Sequence, residues 1–165
     1  MTFPSSNVQY DVERLLHNFR VNASLPSPAK PYGGWEAPDC GLRGHFTGHY
    51  LSACALMFAA TGDPVFRERV DQVVDGPAEC QQALGDGYLA AFPISEFEKL
   101  KTRFFDGVWA PYDTIHKIMA ADALQPVSGR PLTYTVRTAD EREVTLVPFY
   151  ELHHQRYSLY WRHGP

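Results

Sequence analysis

The sequence predicts a mainly α fold with a small C-terminal antiparallel β-sheet, its helical part of partial (α/α) toroid type. Three observations predict this. Apolar residues recur at helical spacing through much of residues 1–125. Within that part, His49 to Ala60 is apolar or small on every side, while the following segment is apolar on one side only. Across residues 126–165 the apolar period drops to two. An inner apolar helix followed by an outer amphipathic one is the unit of an α/α toroid, and one such pair cannot close the ring. A chain of 165 residues is expected to form one domain with a sizeable core.

Taken in order, Val8, Val12, Leu15, Leu16 and Phe19 line one face of an opening helix. Residues 24–41 are rich in proline and glycine and read as a long loop. The apolar helix then stops at Thr61-Gly62-Asp63-Pro64. Gly62 suits the left-handed position past a helix end, Asp63 caps the next helix, and Pro64 fits its first turn. That helix sets Phe66, Val70, Val73 and Val74 against a charged face of Arg67, Glu68, Arg69 and Asp71. A proline inside a helix costs about 3 kcal/mol, so a break is expected at Gly76-Pro77. Gly85 to Leu89 reads as a turn into a short extended piece. Short helices come next, one from Ser95 or Glu96 to Lys101 and one from Thr114 to Ala123. Leu132, Tyr134 and Val136, then Val144 and Leu146, alternate on either side of a turn at Asp140-Glu141-Arg142. Tyr157, Leu159 and Trp161 supply a third strand.

The net charge is -4 with no basic block, which disfavours binding to a phosphate backbone. Cys40, Cys54 and Cys80 are odd in number and hold no close pair, which argues against a disulfide framework and a local zinc knuckle. Residues 1–20 show no apolar core of a secretory signal, and no apolar run is long enough to span a bilayer. A cytoplasmic setting without membrane partners is therefore the expectation.

The candidate site centres on Gly44-His45-Phe46-Thr47-Gly48-His49-Tyr50, which puts two imidazoles at the mouth of a segment built to be buried. A neutral imidazole donates at one nitrogen and accepts at the other, which suits sugar hydroxyls. Trp35 and Glu36 in the preceding loop could stack on a sugar and accept its hydroxyl protons. The bland alternative has Trp35 anchoring that loop to the core. Trp109 reads as packing. His45 and His49 have the i, i+4 spacing of a helical metal pair, but Gly44 and Gly48 argue against a regular helix there and no third ligand is evident. His153 and His154, being adjacent, would point to opposite faces of a strand, so no metal site is expected. Glycosidases need two convergent carboxylates, for which Glu36, Asp39, Asp86, Asp113 and Glu151 are the candidates. Ser52 lacks a nucleophile elbow.

The chain resembles the β-L-arabinofuranosidase family of glycoside hydrolases. The matching pieces include Tyr32 to Glu36, Leu42 to Ala53, Gly85 to Pro93 and Trp109 to Ala120, and Val147 to Trp161 resembles the end of a β-sandwich. The resemblance implies an (α/α)6 catalytic barrel followed by β-sandwich domains. It also implies His49 and His116 as substrate contacts. The family's glutamate acid/base, and its zinc bound by cysteine and glutamate with a cysteine nucleophile, belong to a middle stretch with no counterpart here. No zinc or other cofactor is therefore expected, and Cys54 reads as core packing. Asp113 stands where the family usually has an aromatic residue, and Pro77 where it continues a helix.

The expected function is that of a carbohydrate-active protein resembling hydrolases that release β-L-arabinofuranose. The alternative is a non-catalytic sugar-binding or non-functional remnant of such an enzyme. Trp35, Glu36, His49 and His116 are the expected sugar contacts. Because an incomplete toroid leaves the apolar helix short of neighbours, self-association is also expected.

Overall fold

The computed structural model describes residues 10–102, 110–123, 134–137, 143–151 and 156–161. The fold is mainly helical. Its helices are α1 (Val12–Asn22), α2 (His45–Thr61), α3 (Pro64–Leu84), α4 (Ser95–Thr102) and α5 (Pro111–Ala123), with a 3-10 turn at Gly34–Glu36. Three strand segments come after them: β1 (Tyr134–Arg137), β2 (Glu143–Glu151) and β3 (Arg156–Trp161).

The core lies between α1, α2 and α3. Leu15, Leu16 and Phe19 of α1 meet Leu51 and Cys54 of α2 and Val70, Val73 and Cys80 of α3, all buried. Ile118 of α5 joins the same cluster. The turn from α2 to α3 results from local chemistry. Gly62 is left-handed at φ 68°, the Asp63 side chain accepts from the Val65 amide, and Pro64 opens α3.

Three sequence expectations fail, each for a tertiary reason. The break at Pro77 does not occur, and α3 runs unbroken from Pro64 to Leu84. Gly76 and Pro77 are both buried in it, and a Cβ on Gly76 would strike Leu16 Cδ1. The glycine lets α1 lie against α3 at this point, and the burial there offsets the lost hydrogen bond. Nor does Gly48 disturb the start of α2, which is helical from His45. The third expectation is a helix buried all round. Leu56 is 57% exposed, and His49, Ala59 and Ala60 are exposed too, so α2 keeps an open side.

Candidate functional site

The loop before α2 is fastened by the polar face of α1. Arg14 donates to the Lys30 and Pro31 carbonyls, His17 Nδ1 lies 2.8 Å from the Ala29 oxygen, and Asn18 Nδ2 donates to the Glu36 carbonyl at 2.8 Å. The Arg14 guanidinium also covers the Tyr32 ring at 3.9 Å, and the Tyr32 hydroxyl accepts from the Asp11 amide. These side chains recur at helical spacing, so one helical stripe holds a loop whose composition alone promises no order.

Glu36 is 3% exposed. Its Oε2 accepts from the Gly44 amide and its Oε1 from the Phe46 amide, each at 2.8 Å. The first amides of a helix have no partner within it and carry partial positive charge. Gly44, left-handed at φ 93°, offers no side-chain cap of its own, so the loop supplies one. Burial pushes the Glu36 carboxyl above the usual range, while the Gly44, Phe46 and Thr47 amides pull it back.

The imidazoles form a row at the same end of α2. The His45 ring meets the Trp35 indole at 5.7 Å and 86°, and the His49 ring at 4.6 Å and 64°. His45 is buried, and its Nε2 lies 3.0 Å from Asp113 Oδ2. Its Nδ1 is buried and has no hydrogen-bond partner in the protein. His49 is exposed. Partial desolvation where the ring lies against its neighbours, then His45 and Lys117, hold its pKa below the ordinary imidazole value, against the pull of Asp113. It therefore presents a neutral ring at neutral pH, with one donor and one acceptor.

Beside the row lies a cleft of about 310 Å³ lined by Tyr10, Tyr32, Gly33, Trp35, Glu36 and Phe46. Trp35 is 55% exposed, so it does not anchor the loop; Tyr32 and Glu36 do that work. His116 is exposed on α5, next to Lys117, whose backbone lies where a Cβ on Gly48 would be. His49 and His116 thus each adjoin a residue of the α2–α5 crossing, and Trp35 meets the row through His45. Trp109, His153 and His154 lie outside the described residues. No spacing in the sequence reveals the Asp113–His45 pair or the cleft. The aromatics flanking Gly33-Gly34 were the signal available for the cleft.

Cys54 and Cys80 do not fit a zinc–thiolate centre. Cys54 and Cys80 are buried, and burial pushes both thiols up, Cys80 to about 11. Among the described residues no three His, Cys, Asp or Glu converge to hold a metal. A buried thiol of raised pKa keeps its proton when the unfolded thiol has lost it. The fold should therefore weaken as pH climbs from about 9 to about 11, by on the order of 2 kcal/mol for Cys80. Urea midpoints across that range should slope less in Cys80→Ala than in the parent; equal slopes would remove Cys80 as the cause.

Residues 2–126 match the family model described as beta-L-arabinofuranosidase, GH127 catalytic domain, and the chain belongs to that family. Residues 111–163 match a second model, described only as a domain of unknown function, and α5 falls within both matches. No curated protein matches the chain. No helix among the described residues is long and apolar enough to cross a membrane.

Proposed function

We propose that the chain binds β-L-arabinofuranosyl groups at the mouth of α2 and does not hydrolyse them. The observation that carries this is the row from Trp35 through His45 to His49, with its outer members exposed. His49 and His116 would share the sugar's hydroxyls, with the Trp35 indole against its C–H face. The carboxylates touching this end of α2 are engaged elsewhere, Glu36 on amides and Asp113 on His45, which speaks against the paired carboxylates of glycoside hydrolysis. The three strands would then be the small antiparallel sheet of a C-terminal part, residues 126–165, behind a helical part of residues 1–125. Self-association through the open side of α2 around Leu56 belongs to the same proposal.

Calorimetric titration with methyl β-L-arabinofuranoside tests it. Binding is expected in the parent, weakened about tenfold in His49→Ala by the loss of one hydrogen-bonding ring. Hydrolysis of p-nitrophenyl β-L-arabinofuranoside that His49→Ala abolishes would overturn the non-catalytic part. Sedimentation of the same samples as monomer throughout the micromolar range would remove the self-association.

A further inference from the structure

We infer that Asp113 is a positioning residue for the imidazole row: acting through His45, its carboxylate holds the middle ring where both Trp35 and His49 meet it. The inference deepens the sugar-binding function proposed above, since the row is the surface on which that function rests.

The seat of Asp113 is rigid. It lies in the first turn of α5, where a helix favours an acidic side chain. Its neighbour Thr114 is fully buried, and α5 is fixed against α2 where the Lys117 backbone lies at Gly48. From that seat Asp113 Oδ2 comes within 3.0 Å of His45 Nε2, a half-exposed carboxylate reaching a buried ring. His45 needs this contact. Its Nδ1 has no partner in the protein, so without Asp113 both ring nitrogens would be buried and unpaired. That is costly, and a side chain relieves it by turning to water. A ring so turned leaves the Trp35 indole, now 5.7 Å away, and the His49 ring, now 4.6 Å away. Trp35 and His49 are both exposed, and the buried ring between them gives each a fixed neighbour.

The same carboxylate acts on His49 by charge. The groups that bear on His49 are His45 on its own helix and Asp113 and Lys117 on α5, with His116 exposed on that helix beside Lys117. Partial desolvation, His45 and Lys117 push the His49 pKa down, and Asp113 pulls it up. Asp113 and Lys117 sit one helical turn apart and oppose each other at this ring. Replacing either therefore moves the His49 titration in a set direction, which a contact that only supports the fold would not do.

Proton NMR of the assigned imidazole and indole resonances between about pH 5 and about pH 8 tests this. In the parent, nuclear Overhauser contacts should join His45 to Trp35 and to His49. Asp113→Asn keeps an oxygen that accepts from His45 Nε2 but removes the charge. The contacts should persist there and the His49 midpoint should fall. Asp113→Ala removes both, so the contacts should vanish, the midpoint should fall, and methyl β-L-arabinofuranoside should bind about tenfold more weakly. Lys117→Gln should raise the midpoint. Contacts that persist in folded Asp113→Ala overturn the inference and leave the sugar-binding function standing. So does a His49 midpoint that Asp113→Asn leaves unchanged, because the carboxylate would then not stand at the row. If Asp113→Ala does not fold, Asp113→Asn and Lys117→Gln still decide through the midpoint. If the NMR results are as expected and no sugar binds the parent, the proposed function falls and the hold of Asp113 on the row remains.

Discussion

Gly48→Ala should lower stability by about 3 kcal/mol, although a glycine to alanine change inside a helix ordinarily raises it by about 1 kcal/mol. The two effects differ in sign, so the sign decides. A Cβ at position 48 would lie 2.6 Å from the Lys117 carbonyl carbon, 2.7 Å from its oxygen and 2.8 Å from the Ile118 nitrogen. These are backbone atoms of a neighbouring helix and cannot swing aside as a side-chain tip can. α2 and α5 must separate to admit the methyl group, which also loosens Ile118 and Thr114 in the core. Urea unfolding followed by far-ultraviolet circular dichroism reads this directly. A midpoint unchanged or raised in Gly48→Ala would mean that the helices do not cross at this glycine.

Glu36→Ala should cost about 2 to 4 kcal/mol, because it leaves the Gly44 and Phe46 amides without their acceptor in a buried place. Glu36→Gln keeps one acceptor oxygen and turns an amide donor toward the other N–H, so about half of that loss is expected. The pH dependence separates the charge from the shape. With the folded pKa above 4.5, the native state takes up a proton that the unfolded chain still lacks. The contribution of this group is therefore fully present below 4.5 and is lost as pH rises through the folded value. The stability difference between parent and Glu36→Gln should shrink as pH rises across that interval. A difference that grew instead would mean that the amide bonds outweigh burial.

The part of the fold legible in the sequence is local. Thr61-Gly62-Asp63-Pro64 marks the turn between α2 and α3 because each residue acts on its immediate neighbours, and Phe66, Val70, Val73 and Val74 mark the one-sided face of α3. The illegible part depends on contacts distant in the chain. Pro77 stays helical because α1 lies on Gly76, and Gly48 stays helical because α5 lies on it. Glu36 has the composition of a sugar contact, but its oxygens are fixed by amides eight and ten residues ahead. The Asp113–His45 pair joins two helices, and no spacing rule within one helix could reveal it.

The place of α5 has a consequence for where the chain can be divided. Two family models meet on this chain, and both include Pro111–Ala123. Packing ties the helix to α2, since Thr114 and Ile118 are buried, Asp113 reaches His45, and the Lys117 backbone fills the groove at Gly48. A chain ending before Pro111 would leave that groove empty and the buried imidazole without its carboxylate. A boundary drawn at Pro111 would therefore cut through the packing of α5 on α2, even though residues 111–163 match a second family model.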